Sequence, residues 1–276
     1  DLGASRIYDG STTINGSDFS TFTNIVGGET LAVSGSGTIT SKNVGTGKTV
    51  TSVNLALADG TGTASNYSIN SLAADITGRP VSISGSRLYD STVTADSSIL
   101  TITSGVSGEN LTLTGSGVLG AASAGSQTIT NNNTLAIADG TGLASNYTLA
   151  GASINVTVLP RTLNVTLSRE YDGTTSVSGS SLTPTFDSLQ GGETLALTGT
   201  GSISNANVGS SKAVTLGTIA LASGSGNPSN YTLNSATMDV TQKVINLDGI
   251  RAYDASTDVL SSDINTFGNI VSGETL

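Results

Sequence analysis

Along much of the chain, apolar residues alternate one for one with small or polar neighbours. Leu31 and Val33, Leu111 and Leu113, and Leu195 and Leu197 follow this rule. So do the runs Ile154, Val156, Val158 and Leu163, Val165, Leu167. A period of two is that of a strand with one buried face. The runs are short and bounded by Gly, Ser, Asn and Asp, which predicts an all-β chain of many short strands joined by turns. Gly27-Gly28, Ser107-Gly108, Gly191-Gly192 and Ser272-Gly273 stand just before a strand and read as tight hairpin turns. Asp9-Gly10 and Asp172-Gly173 are turn pairs of the same kind.

The pattern recurs. Arg-x-Tyr-Asp occurs at Arg6-Tyr8-Asp9, Arg87-Tyr89-Asp90, Arg169-Tyr171-Asp172 and Arg251-Tyr253-Asp254, with tyrosine spacings of 81, 82 and 82 residues. A Gly-Glu marker places Glu29, Glu109, Glu193 and Glu274 at a similar interval, and an Asn-Tyr marker ends at Tyr67, Tyr147 and Tyr231. All seven tyrosines fall in one of two recurring positions. Self-similarity at a fixed period is the mark of tandem modules. We delimit repeats at 1–79, 80–160 and 161–242, with 243–276 as the start of a fourth. The fourth copy stops at Leu276, at its Gly-Glu-Thr-Leu marker, so the parent polypeptide is expected to continue on both sides. For about 80 residues an immunoglobulin-like sandwich and a β-grasp-like module both fit, and the scarcity of helix formers favours the sandwich. Copies joined by short apolar stretches such as Val158–Arg169 favour an elongated rod over loosely linked beads.

Composition changes the picture in two ways. Charged residues make up 11%, against about 25% in an average domain, so hydroxyls and amides must coat the surface. The net charge of −10 argues against nucleic acid and against anionic membranes, and no apolar run is long enough to insert in a bilayer. With no Cys and no His, the many Ser and Thr hydroxyls have no evident activator, and no acidic pair stands apart from the repeating turns; a non-enzyme is expected.

Tyr8-Asp9-Gly10 and Tyr171-Asp172-Gly173, followed by Gly-Glu-Thr-Leu and then by Asn-Tyr, resemble the YDG-type repeats of giant bacterial surface adhesins. They are similar to the wider group of MBG-type modules in filamentous-haemagglutinin-like and biofilm-matrix proteins. The resemblance covers the whole chain, although Ser91 and Ala255 replace the glycine in copies two and four. It implies tandem β modules in an extracellular or cell-surface stalk exported from Gram-negative bacteria, without catalysis. The partners so implied are neighbouring repeats, other copies in a fibre, and a glycan or host surface.

Each marker has a functional and a structural reading. Arg-x-Tyr-Asp could hold a ligand, with Arg for a carboxylate and Tyr for a sugar ring. Its presence in every copy favours a fold role: Tyr near the module seam with its hydroxyl partnered, Asp closing an Asx-turn, Arg paired to a carboxylate or carbonyl. Asn-Tyr reads likewise, Asn suiting a turn and Tyr67, Tyr147 and Tyr231 opening a strand. The recurring Glu and Asp residues, and the loops at Asp59 and Asp139, are hard-oxygen candidates for Ca²⁺. Copy three has Ser223 in place of that aspartate, and no Asp-x-Asp-x-Asp cluster exists, so no cofactor is assigned. Lys48 and Lys212 share a position that holds Gln127 in copy two, which argues against a general Lys–Asn crosslink. Asn66, Asn110, Asn146 and Asn230 begin Asn-x-Ser/Thr triplets, a weak glycosylation signal in so Asn- and Thr-rich a chain.

Overall fold

The computed structural model describes residues 1–52 and 54–275; Leu276, which completes the last Gly-Glu-Thr-Leu marker, lies outside them. Among the described residues there are strands and single 3-10 turns and no α-helix, as the alternating pattern predicts. The first module has eight strands: β1 (Leu2–Ile7), β2 (Thr13–Asn15), β3 (Phe19–Phe22), β4 (Leu31–Ser34), β5 (Ser36–Ile39), β6 (Gly45–Ser52), β7 (Ala56–Asp59) and β8 (Leu72–Thr77). Six of them form a sheet in the order β2-β5-β6-β8-β1-β3.

At its centre the first and last strands run parallel, in register from Leu2 opposite Leu72 to Ile7 opposite Thr77. The other pairs in that sheet are antiparallel. β4 and β7 make a separate two-stranded ribbon, Leu31 opposite Asp59 and Ser34 opposite Ala56. The ribbon lays Val33 and Leu57 on the core that contains Ala4, Ile14 and Ile76, giving two sandwich-like layers. Where β4 turns into β5, Gly35 has φ +83°, and a Cβ there would lie 2.1 Å from the carbonyl oxygen of Asn54. Gly115 and Gly199 are in the same bind against Thr134 and Thr218, so only glycine fits this corner in any copy.

The third module repeats the sheet order, with Arg161–Glu170 parallel to Tyr231–Thr241 at the centre. In the second module the equivalent of β6 is interrupted at Thr128, and the strands divide into a three-stranded and a four-stranded sheet. Beyond Thr241, Asn246–Gly249 pairs with Ile264–Gly268.

The chain divides into two compact units. One comprises 1–87, 93–121 and 126–157; the other comprises 88–92, 122–125 and 158–276. In the first, side chains of two modules merge in one core, where Leu2, Tyr8 and Ile76 join Val81, Ile83, Leu111 and Tyr147. The second is built on Val165, Leu167, Val177, Met238 and Val240.

Two local expectations are corrected. The Gly-Gly and Ser-Gly pairs before the glutamates are tight turns but not hairpins, because the strands they join belong to different sheets: β3 pairs with β1 and β4 with β7. The turns close through Glu29 N–H to Val26 O (3.1 Å), Glu109 to Val106 (3.2 Å), Glu193 to Gln190 (2.9 Å) and Glu274 to Val271 (3.1 Å). The second correction concerns Asn-Tyr. Tyr147 and Tyr231 open strands, but Tyr67 does not; the first module's last strand begins only at Leu72.

Candidate functional site

The recurring tyrosines sit where they do because of the central parallel pair. The N–H of Tyr8 donates to the carbonyl of Thr77 (2.9 Å), that of Tyr89 to Leu159 (2.8 Å) and that of Tyr171 to Thr241 (2.9 Å). Each tyrosine thus continues the first strand just beyond the last rung, at the place where the closing strand passes into the next module. The residues after it form a fixed tip. Asp9 Oδ1 accepts from Ser11 N–H (2.9 Å), and Asp90, Asp172 and Asp254 accept likewise from Thr92, Thr174 and Ser256, an Asx-turn in all four copies. Arg6 pairs with Asp9, Arg169 with Asp172 (3.1 Å) and Arg251 with Asp254 (3.3 Å); Arg87 holds the same position in copy two. The residue after each aspartate has a left-handed backbone: Gly10 (φ 82°), Ser91 (64°), Gly173 (74°) and Ala255 (59°). The glycine lost in two copies has therefore not changed the turn.

From this tip the tyrosine reaches a glutamate about one hundred residues on, in the next module. The Tyr8 hydroxyl donates to Glu109 Oε1 (2.6 Å), while the Tyr147 hydroxyl donates to Glu109 Oε2 (2.7 Å). The two rings meet edge to face at 5.4 Å between centroids. In the other unit Tyr89 donates to Glu193 Oε1 (2.6 Å) and Tyr231 to Oε2 (2.5 Å), with rings 5.3 Å apart at the same angle within a degree. Tyr171 donates to Glu274, and Tyr67 to Glu29. One carboxylate gripped by the Asp-side tyrosine of one module and the Asn-side tyrosine of the next is a clasp. Its members come from all three sequence markers, and among the described residues it occurs complete twice.

Lys42, the asparagines of Asn-Tyr and a recurring arginine contribute in ways the markers do not announce. Lys42 Nζ donates to Glu109 Oε1 (2.7 Å), and Ala122 stands at its place in copy two. The asparagine of Asn-Tyr does more than turn the chain: Asn146 Oδ1 accepts from Val44 N–H and Asn230 Oδ1 from Ala124 N–H, both at 2.9 Å, capping a loop of the preceding module. Both asparagines are buried, which removes them as glycosylation acceptors in the folded chain. The guanidinium of Arg79 donates to the carbonyl of Tyr8 (3.3 Å) and that of Arg161 to the carbonyl of Tyr89 (3.0 Å). These arginines, with Lys243, lie 71, 72 and 72 residues after the tip tyrosines, a spacing that could have exposed them.

The electrostatics follow from this packing. Burial, with the adjoining carboxylate, pushes the hydroxyls of Tyr89 and Tyr147 from the ordinary 10.0 up to about 12. Burial and then Glu109 raise Tyr8, and burial and then Glu193 raise Tyr231. For Tyr67 and Tyr171 the bond to the glutamate is the main cause of the rise. Burial works against ionisation of Glu109, but the bonds from Lys42, Tyr8 and Tyr147 together outweigh it and hold its carboxyl below the usual range. A folded pKa above the unfolded one contributes stability below the unfolded value and loses it as pH rises through the folded value. Stability to urea is therefore expected to fall between about pH 10 and about pH 12. Tyrosinate absorbance at 295 nm should show Tyr89 and Tyr147 ionising near pH 12, moving to about 10 in denaturant. A titration identical in folded and denatured chain would contradict the clasp.

The candidate calcium ligands are engaged elsewhere: Asp59 and Asp139 Oδ1 each accept from a backbone N–H, of Ala64 and Ala144, at 2.7 Å. Among the described residues no group of three or more acidic side chains is placed to hold a metal. Glu109 accepts from three donors and Glu193 from two, so each carboxylate bridges a tyrosine of one module and a tyrosine of the next.

A family model described as the YDG domain matches residues 2–77, 74–155 and 157–238. No curated protein and no solved structure matches the chain.

Proposed function

The chain belongs to the YDG domain family, with three copies in tandem, and on that premise we propose that it is a non-catalytic spacer, a serial array whose modules are locked end to end. The observation that supports this most is the recurrence of one joint: Tyr8 on Glu109, Tyr89 on Glu193 and Tyr171 on Glu274. A ligand site would need one good pocket; a spacer needs the same fastener at every seam. In this reading the modules form a rod in a secreted bacterial adhesin or extracellular fibre, at the cell surface or in the biofilm matrix. Its low charge and dense hydroxyls keep it hydrated without strong attraction to anionic partners.

Small-angle X-ray scattering tests the reading. A single globule of this length has a radius of gyration of about 19 Å, whereas three modules of about 30 Å in series approach 27 Å. A value near 19 Å would overturn the spacer. A second reading, direct binding of carbohydrate, has in its favour the recess of about 470 Å³ beside Glu109, lined by Tyr8, Lys42, Asn43, Thr141 and Asn146. Saturable micromolar binding on a glycan array, lost on Lys42→Ala, would favour it.

A further inference from the structure

The two complete joints share a clasp but not its surroundings. Glu193 takes Tyr89 and Tyr231 as Glu109 takes Tyr8 and Tyr147. Beside Glu109 lies the recess of about 470 Å³, whose walls come from two complete repeats and include Thr12, Thr40, Ser41 and Lys42. At the matching places of copy two stand Val93, Gly120, Ala121 and Ala122. All four polar side chains are gone there, and the clasp forms regardless. Thr141, also on the wall, is matched by Ser225 because its hydroxyl has a structural task. It accepts from Asn110 N–H (2.7 Å), as Ser225 accepts from Thr194 N–H (2.9 Å). What the joint requires is kept in both copies, so the rest of the polar lining beside Glu109 is not explained by folding.

The chemistry of that lining is donor-rich. Lys42 Nζ is held 2.7 Å from Glu109 Oε1 and 5.9 Å from the centre of the Tyr8 ring. Glu109 offsets its charge but takes only one of its three N–H donors. Asn146 Nδ2 donates to Asn43 Oδ1 (3.0 Å), so Asn43 offers the recess its Nδ2. Neither that Nδ2 nor the hydroxyls of Thr12 and Thr40 have a partner among the described residues. The wall thus presents donors with little net positive charge, on a chain of net charge −10, which favours a neutral acceptor over an anion. Leu143, 46% exposed, adds an apolar contact to the same wall. The volume falls within the range of small-molecule sites, about 300–1,000 Å³.

We propose that the recess beside Glu109 binds an acetamido sugar, a neutral ring that carries an N-acetyl group. The acetamido carbonyl accepts from Lys42 Nζ and Asn43 Nδ2, its methyl group lies on Leu143, and ring hydroxyls pair with Thr12 and Thr40. An amide acceptor next to a methyl group matches a pair of donors next to a leucine. A plain hexose lacks both features, and a uronic acid adds a charge that Glu109 repels. The inference rests on the carbohydrate reading of this recess and names its ligand class; the spacer does not depend on it, since a rod can carry a binding site at one seam.

Isothermal titration of the whole chain with N-acetylglucosamine, glucose and glucuronic acid tests the assignment. N-acetylglucosamine should bind at least about tenfold more tightly than the other two, because a site built to hydrogen-bond a group discriminates against analogues that lack it. Lys42→Ala, and Thr12→Val in imitation of copy two, should each weaken it about fivefold or more, through loss of one donor apiece. Urea unfolding of both variants, with midpoints close to that of the unsubstituted chain, shows that the loss is one of binding. Glucose or glucuronic acid bound as tightly as N-acetylglucosamine would overturn the acetamido assignment and leave the carbohydrate reading standing. Binding unchanged in both variants would put the sugar elsewhere on the chain and overturn the inference. No saturable binding of any of the three up to about 10 mM would refute the inference and the carbohydrate reading together.

Discussion

Replacing Glu109 with alanine should lower the stability of the unit that contains it by about 3 kcal/mol, roughly 6–12 °C in Tm for about 150 residues. The substitution strips three donors of their acceptor: the hydroxyls of Tyr8 and Tyr147 and the Lys42 ammonium. Bonds to a charged acceptor contribute about 1.5–3 kcal/mol each, and orphaned buried donors carry a further penalty. Two effects reduce the sum. Lys42 is well exposed, so its pair contributes little, and the polar recess beside the carboxylate lets water reach the stranded hydroxyls. Glu29→Ala is the internal control. It removes a glutamate with a single, half-buried tyrosine partner and should cost under about 1 kcal/mol. Urea unfolding of both variants, read by circular dichroism, decides the matter; equal losses would mean that joining two modules through this carboxylate adds nothing.

Tyr89→Ala should cost still more, about 4 kcal/mol, in the unit that holds Glu193. The ring is 3% exposed, and deleting a buried aromatic of this size ordinarily costs about 3–5 kcal/mol. It also loses the edge-to-face contact with Tyr231, of the kind that contributes about 0.5–1.5 kcal/mol. Tyr89→Phe keeps the packing and gives up only the hydroxyl on Glu193, for an expected loss of about 1–2 kcal/mol. The gap between the two variants separates the ring from the hydroxyl. A ring whose purpose is to stack on a ligand would be removable at under about 0.5 kcal/mol, as exposed surface residues are.

Much of this was legible in the sequence, and the limits have physical causes. Alternation at Leu163, Val165 and Leu167 predicts a strand with that face inward, and all three are buried. Spacing alone delivers the three markers. What spacing does not deliver is that they converge. Tyr8 lies in one repeat and Glu109 and Tyr147 in the next, and Tyr8 stands at that seam because its module's first strand pairs with the last, an arrangement that leaves no trace in local periodicity. The hairpin reading of Gly27-Gly28 failed for a related reason. A tight turn has the same residues whether the strands it joins pair or diverge, and long-range partners decide which. Lys42 was missed because it has no counterpart in the other copies, so self-comparison is blind to it.

The parallel centre of the first and third modules has a consequence for tension. The chain enters along β1 and leaves along β8, neighbours that point the same way, so a pull on the two ends drags them past each other in opposite senses. Their hydrogen bonds then lie across the direction of pull and must rupture together, whereas a hairpin pulled at its open end unzips one rung at a time. The same geometry recurs between Arg161–Glu170 and Tyr231–Thr241, so each resists shear with its longest ladder, and survival under load is set by an unfolding rate rather than by equilibrium stability.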